Sequence, residues 1–250
     1  MLCVMKPSIA ITLGSGVFAI LLAAYLFAYA TTVRDPVEWQ NGDVIVQDSR
    51  VEKILPLFEA EGGFTHVGIV EARPGGAVVI EAAEKVVETP VREFLSRGED
   101  GAFAVFRLNG LSAEQGEKVV AAARRQIGKP NDFFLHKSWD QLYSSELVRL
   151  AFSDVGLDVG RTQRMSRVSG DLAGVRSEFL RAWSTHEECH KRNLTSDQCW
   201  TMVSKQEVVT PSSIVNDARM TKVFELAKAE KKGFTLSRAN GDKNEAAPAP

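Results

Sequence analysis

The sequence has few cysteines and little excess charge of either sign. Three cysteines are too few for a disulfide-rich small domain or for a four-cysteine zinc site. The formal net charge is -2, whereas a dedicated nucleic-acid-binding domain would carry a basic surface. Only one long hydrophobic run is present, which excludes a protein with several membrane spans. A P-loop, a GxSxG elbow and an HExxH zinc motif are also missing from the sequence.

The remaining composition is that of one folded domain with short additions. The 250 residues are 44% hydrophobic and 25% charged, which are ordinary values for a globular protein. We expect a domain at 35–227, preceded by a hydrophobic segment within 1–34. Residues 228–250 are rich in Lys, Ala, Gly and Pro, and we expect them to be disordered.

The hydrophobic segment spans residues 9–30 and contains no charged residue. It is long enough to cross a hydrocarbon core of about 30 Å as a helix. Its length favours an uncleaved inner-membrane anchor, while Ala28-Tyr29-Ala30 also fits the cleavage site of a secretory signal peptide. Under either interpretation we expect an exported protein whose domain faces the periplasm or the exterior.

The pattern of apolar residues predicts an α+β domain. Strands are predicted within 39–47, after a turn at Asn41-Gly42, and at 65–72, 77–82, 85–89 and 102–108; helices are predicted at 50–60, 90–96, 112–127, 144–155, 178–188 and 220–226. Ser112 and Gln115 have the spacing of a capping box at the start of the helix at 112–127. The polar segment 161–206 is interpreted as an insertion or cap rather than as core.

A histidine and a glutamate are predicted to meet across the hairpin formed by 65–72 and 77–82. If Ala72 pairs with Ala77 across the turn, Gly68 lies opposite Glu81. His66 is then the diagonal neighbour of Glu81 on the same face, at about 7–8 Å. A carboxylate next to an imidazole orients the ring and supports it as a general base. A purely structural His–Glu pair is an equally open interpretation.

Two small hydroxyl residues, Ser144 and Ser145, stand at the start of the helix predicted at 144–155. A serine at this place is ordinarily an N-cap. A nucleophile there would benefit from the positive end of the helix and from backbone N–H groups that can bind an oxyanion. The spacing alone leaves both interpretations open.

Six motifs occur in the order found in one known enzyme family. They are GDVIVQ (42–47), THVGIVEA (65–72), VIEA (79–82), GKPND (128–132), YSSELV (143–148) and VTPSSI (209–214). Over about residues 40–225 the chain resembles the YiiX/YebB-like branch of the NlpC/P60 superfamily, the circularly permuted papain-like cysteine hydrolases. The resemblance implies a small antiparallel sheet or half-barrel packed on helices.

The resemblance also implies roles for particular residues. His66 resembles the family's general base, with Glu81 as its orienting partner. Tyr143, Ser145 and Glu146 match the frame around the nucleophile at position 144. Asp132 and His136 are candidates for lining the cleft, although His136 also fits a surface position in a Phe-rich turn.

The chain departs from the family at the nucleophile itself, because Ser144 stands where the family has cysteine. A hydroxyl is a far weaker acid than a thiol, so a site built for a thiolate should lose most of its rate. Three explanations remain open: an engineered serine, a natural pseudoenzyme, or a site adapted to serine. Asn131 is a lesser departure, since the family often has an aromatic residue there.

The resemblance implies an amide hydrolase, and we expect it to be exported, as the hydrophobic segment indicates, and to need no cofactor and no metal. Its substrate would be a cell-wall peptide or an acylated small molecule carrying an amide or ester bond. The alternative is a catalytically silent binding module that keeps the cleft at the membrane surface. A third possible role is a structural membrane partner that binds another protein through the segment 161–206.

Cys189 and Cys199 lie close together in the chain and would pair in an oxidising compartment. Closing this short loop would contribute roughly 3 kcal/mol in the chain-entropy model. Two unrelated buried thiols are one alternative. A metal site that also uses His186 and His190 is another, which the loose spacing disfavours.

Overall fold

The computed structural model describes residues 37–49, 63–136, 140–168 and 170–227. The hydrophobic segment, the helix predicted at 50–60 and the C-terminal tail therefore lie outside the described residues. Within the described ranges, none of the helices combines the length and the apolar character that a membrane span requires.

The described residues contain one large antiparallel sheet and one short ladder. The strands are β1 (Val44–Ser49), β2 (His66–Glu71), β3 (Val78–Ala82), β4 (Val86–Pro90), β5 (Gly98–Leu108), β6 (Gln163–Arg164), β7 (Glu207–Val208) and β8 (Met220–Leu226). The large sheet has the order β4-β3-β2-β1-β5-β8, and β6 pairs with β7. Neighbours in the large sheet are antiparallel throughout, as the α+β interpretation predicts.

Helices cover the large sheet and complete the domain. They are α1 (Val91–Ser96), α2 (Ala113–Arg124), α3 (Ser144–Ser153), α4 (Leu172–Ala182), α5 (Glu187–Lys191), α6 (Ser196–Val203) and α7 (Pro211–Val215). The capping box predicted at Ser112 and Gln115 is confirmed at the start of α2. That helix ends at Arg124, earlier than predicted, because the chain then turns toward Gly128, whose φ is +94°.

The two faces of the large sheet are buried against different helices. Side chains alternate along a strand, so neighbouring residues of β2 point to opposite faces. Val67 and Ile69 belong to the main hydrophobic core, together with Leu147 of α3 and residues of α2. Val70 belongs to a second core, together with Phe94 of α1. Helices α2 and α3 therefore cover one face, and α1 covers the other.

The prediction of a helix at 220–226 is wrong, because these residues form the edge strand β8. They pair along β5 from Leu108 opposite Met220 to Phe103 opposite Leu226. A helix of seven residues gains little stability on its own. The open edge of β5 offers the same backbone groups a hydrogen-bonded ladder, which is interrupted by one register shift between Val105 and Phe106, and this long-range pairing decides the structure.

The segment 161–206 holds more helix than predicted and contributes to the main core. The single helix predicted at 178–188 is interrupted after Ala182, where α4 ends, and α5 begins at Glu187. Helix α6 is a further helix that was not predicted. Val175, Phe179 and Val203 are buried within the main hydrophobic core. The segment therefore packs its apolar side chains into the domain itself.

A testable consequence concerns Gly116, which lies inside α2 against the turn that precedes β1. An added Cβ at Gly116 would lie 2.2 Å from the carbonyl oxygen of Asn41. Replacing glycine by alanine in a helix ordinarily gains about 1 kcal/mol. We expect Gly116→Ala instead to lower the free energy of unfolding by about 1–3 kcal/mol, because a backbone atom cannot move aside easily.

Chemical denaturation measures this effect. The exposed residue Ala121 of the same helix provides the control, since Ala121→Gly should cost about 1 kcal/mol by helix propensity alone. An increase in the free energy of unfolding for Gly116→Ala would contradict the packing described here.

Candidate functional site

The histidine and glutamate on the first hairpin are in direct contact. The register of β2 and β3 places Gly68 opposite Glu81, as the turn length predicted. Nε2 of His66 lies 2.6 Å from Oε2 of Glu81, and both side chains are fully buried. With Nε2–H donated to the carboxylate, Nδ1 is the nitrogen of the neutral ring that can accept a proton.

The other oxygen of Glu81 is held by two residues that the sequence analysis missed. The hydroxyl of Thr89 and the guanidinium of Arg97 both donate to Oε1. Burial by itself would raise the pKa of the Glu81 carboxyl. The hydrogen bonds and charge of its partners, led by His66, outweigh burial and lower the pKa below its ordinary value. Glu81 is therefore a carboxylate at neutral pH.

A sequence signal for Thr89 does exist. Strand β4 alternates, and the register pairs Val87 with Glu81 and Thr89 with Val79. Both β4 residues consequently point to the face on which Glu81 lies. Arg97 directly follows α1, and only the packing of α1 against the sheet brings its side chain back to Glu81.

The ring of His66 lies on the face of the sheet that α1 covers. It stacks on Phe94 with the ring centroids 5.6 Å apart and an interplanar angle of 26°. Helix α3 packs against the opposite face of the same strand. An approach between His66 and the start of α3 must therefore occur at the end of the sheet rather than across a flat face.

The start of α3 lies at the end of the sheet where His66 and Glu81 are found. The N–H of Asn131 donates to the carbonyl of Glu84, just beyond the end of β3, at 3.0 Å. The N–H of Leu142 in turn donates to the carbonyl of Pro130 at 3.0 Å. These bonds fix the segment that leads into Ser144 beside the end of β3.

The far end of α3 lies at the opposite end of β2. Arg124 forms an ion pair with Glu71, the last residue of β2, at 2.8 Å. The adjacent Arg125 pairs at 3.0 Å with Asp154, which follows α3 directly. Helix α3 therefore runs alongside β2 in the same direction, and the first residue of each element lies at the same end of the sheet.

Ser144 and Ser145 are the first two residues of α3 rather than its cap, because the N-cap is Tyr143. Both serines are fully buried. The phenol oxygen of Tyr143 accepts a hydrogen bond of 3.1 Å from the N–H of Val209, which ties two of the six motifs together. The first N–H groups of a helix have no partner within it, and these can bind a developing oxyanion. Glu146 lies in the same first turn.

Two grooves flank this end of the molecule. The first, of about 590 Å³, is lined by Lys85, Arg97 and Phe133 among others, and so borders the partner of Glu81. The second, of about 470 Å³, is lined in part by Tyr143 and Glu146, which frame the start of α3. The two grooves thus adjoin the partner of Glu81 on one side and the residues that frame Ser144 on the other.

The cleft candidates Asp132 and His136 form a second pair, in which Asp132 is fully buried and His136 is partly exposed. Oδ1 of Asp132 accepts the N–H of Phe134 at 3.0 Å and lies 2.9 Å from Nδ1 of His136. The ring of His136 contacts the rings of Phe134 and His186. His136 therefore packs against the segment 161–206 through its contact with His186.

The structure contains the predicted disulfide between Cys189 and Cys199. Their Cα atoms are 5.6 Å apart, and both residues are buried. The bond links α5 to α6 beside His186. His190, which the sequence analysis had grouped with them, is exposed.

Comparisons with known proteins place the chain in a family. Residues 38–224 match a family described as permuted papain-like amidase enzyme, YaeF/YiiX, C92 family. The chain is similar to the uncharacterized protein YiiX of Escherichia coli K12, with 29% identity over 188 residues, which are 74% of this chain and 89% of the relative. A crystal structure titled metalloprotein yiiX, from Escherichia coli O157:H7, has a TM-score of 0.63 and 27% identity and covers 77% of this chain and 99% of its own.

The Glu81 carboxylate generates a prediction about pH. Because its pKa is lowered in the folded protein, its stabilising effect is complete above the ordinary value of 4.5 and is lost as the pH falls through the lower folded value. We expect Glu81→Gln to cost about 3–5 kcal/mol in unfolding free energy at neutral pH, because it removes one partner of a buried ion pair.

Denaturant titrations of both proteins between pH 7 and pH 3 provide the measurement. The difference between them should shrink as the pH falls below 4.5. The exposed residue Glu117 supplies a control, since Glu117→Gln should stay within about 0.5 kcal/mol of the parent at neutral pH. A difference that grows on acidification would contradict the assignment of Glu81 as a stabilising carboxylate.

Proposed function

The chain belongs to the C92 family of permuted papain-like amidases, and on that premise we propose that it hydrolyses an amide or ester through a nucleophile at position 144. His66 is the proposed general base, and Glu81 is its orienting partner. The observation that carries the proposal is the buried His66–Glu81 pair at the end of the sheet where α3 begins.

The proposed reaction follows from this geometry. Glu81 holds the ring with Nε2–H toward the carboxylate, so Nδ1 takes the proton of residue 144. The freed oxygen attacks the substrate carbonyl, and backbone N–H groups of the first turn of α3 stabilise the oxyanion. The imidazolium then donates its proton to the leaving amine or alcohol. Water, activated by the same base, releases the acyl group.

The serine at position 144 makes the first step the difficult one. A cysteine thiol has a pKa near 8.5, whereas a hydroxyl gives up its proton far less readily. We therefore propose that this chain turns over slowly compared with a cysteine-bearing form of the same site. Ser144 also favours the second candidate function, a binding module that keeps the cleft without catalysis.

The proposed substrate is a peptide or an acylated small molecule. Glu84 and Lys85 bring charges of opposite sign to the first groove, Arg97 is paired with Glu81, and Phe133 brings an apolar surface. This mixed lining suits an acyl or peptide chain that has both polar and apolar groups near the scissile bond. No nucleic acid is proposed as a partner, and the segment 161–206 remains a proposed surface for a protein partner.

We further propose that the protein is exported and held at the membrane by residues 1–34. The uncharged run at 9–30 supports this proposal. The full-length chain should sediment with membranes, and the chain that begins at residue 35 should be soluble when both are expressed in bacteria. Equal recovery of both forms in the soluble fraction would contradict the anchor, and a shorter mature chain would indicate a cleaved signal peptide.

The reactivity of a cysteine at position 144 tests the nucleophile. We expect Ser144→Cys to be alkylated by iodoacetamide faster than a free thiol at pH 6, because His66 would stabilise the thiolate. Peptide mass spectrometry locates the label. Ser145→Cys is the matched control, one residue further along the same buried helix start, and should react more slowly.

The base is tested on the same background. Adding His66→Ala to Ser144→Cys should lower the rate of hydrolysis of an activated ester by about 100- to 10,000-fold, the usual contribution of a general base. The measurement is steady-state hydrolysis of a chromogenic ester, with circular dichroism to establish that both proteins are folded. An unreactive folded Ser144→Cys, or a rate independent of His66, would instead favour the binding module.

A further inference from the structure

A second cluster of reactive side chains lies outside the proposed catalytic pair. His186, Cys189 and Cys199 are fully buried, and each offers one ligand atom within 4.8 Å of the others. Two thiolates on one tetrahedral zinc ion lie roughly 3.8 Å apart, given Zn–S bonds of about 2.3 Å. Once the disulfide is opened, small rotations of these side chains are enough to surround a cation.

A fourth ligand would come from His136, which belongs to a different part of the chain and lies outside the group whose ligand atoms are within 4.8 Å of one another. Its ring centroid lies 4.7 Å from that of His186. Two imidazoles on one tetrahedral zinc ion have centroids roughly 5 Å apart, given Zn–N bonds of about 2.0–2.1 Å. The side chain of His136 is 27% exposed, which gives a cation a route into the otherwise buried cluster.

The surroundings of His136 already have the arrangement found behind metal-binding histidines. Asp132, which is fully buried, holds Nδ1 of His136 at 2.9 Å. A histidine that binds a metal through one nitrogen usually donates the other N–H to a carboxylate or a carbonyl. The contact with Asp132 therefore leaves Nε2 of His136 as the nitrogen that is available to bind a metal.

The cluster also contains buried polar atoms that the rest of the described structure leaves unsatisfied. Nε2 of His186 and Oδ2 of Asp132 have no hydrogen-bond partner among the described residues. Such atoms are costly to bury. Two thiolates and two neutral imidazoles would balance the charge of a divalent cation, so the cation and its four ligands together would carry no net charge.

We propose that the reduced protein binds one zinc-like divalent cation through Cys189, Cys199, His186 and His136. A dithiol reductant first opens the Cys189–Cys199 disulfide: it transfers two electrons and two protons and is itself oxidised to a disulfide. The cation then displaces the two thiol protons, which pass to solvent. The oxidised protein and the metal-bound protein are thus alternative states of one cluster.

This site lies close to the segment that leads to the proposed nucleophile. The N–H of Asp132 donates to the carbonyl of Leu142 at 3.4 Å, two residues before Ser144. The metal would therefore brace the entry to α3 through His136 and Asp132. Metal binding by this cluster does not depend on the proposed hydrolysis, so either can fail without the other.

The test compares metal binding by the oxidised and the reduced protein. The folded chain is freed of metal with a chelator, reduced with a thiol-free phosphine or left oxidised, and titrated with zinc chloride against a chromophoric chelator. We expect one zinc ion per reduced chain and none per oxidised chain. Cobalt in place of zinc should give the absorption of a tetrahedral thiolate site.

Variants identify the ligands. Cys199→Ser and His186→Ala should abolish stoichiometric binding, and His136→Ala should weaken it. Asp132→Asn should reduce the affinity about 10- to 100-fold, the usual effect of changing a residue that orients a ligand. The exposed His190, in the same short helix as Cys189, supplies the control, and His190→Ala should bind as the parent does.

Several results would overturn the proposal. They are less than one zinc ion per folded reduced chain, equal binding by oxidised and reduced chains, or equal losses for His186→Ala and His190→Ala. Circular dichroism recorded during the titration shows whether the chain is folded. Metal uptake that occurs only as the helical signal disappears would mean binding by unfolded chain, and it would also count against the site.

Discussion

The buried contact between His66 and Glu81 is the constraint on which the proposed site depends. A carboxylate can be held in a protein interior only if its charge is balanced and its oxygens accept hydrogen bonds. Here Oε2 of Glu81 accepts a hydrogen bond from the imidazole of His66, and Oε1 accepts hydrogen bonds from Thr89 and Arg97. The three donors come from three different elements, so the ring orientation requires β2, β4 and the end of α1 to be in place together.

The layered arrangement explains why the site lies at an end of the sheet. The His66 ring belongs to the α1 side, while α3 packs on the other side. Side chains from the two layers can approach each other at the end of the sheet where β2 and α3 both begin. The backbone hydrogen bonds from Asn131 to Glu84 and from Leu142 to Pro130 hold the start of α3 at that end. The proposed catalytic residues can therefore meet only if β2 and α3 begin at the same end of the sheet.

Local rules in the sequence were enough for the hairpin, the capped helix and the histidine–glutamate pair. Strand alternation and turn length determine which residues of β2 and β3 share a face. The same rules failed for Met220–Leu226, whose strand depends on the distant edge of β5. They also missed Arg97, because this residue reaches Glu81 only through the packing of α1 against the sheet.

Acylation of the unmodified chain tests the central claim most directly. The protein is mixed with an activated ester under single-turnover conditions, quenched in acid and digested for peptide mass spectrometry. The account predicts an acyl group on Ser144 that forms in the parent and is lost in His66→Ala. Acylation at another residue, or acylation of Ser144 that does not depend on His66, would contradict it.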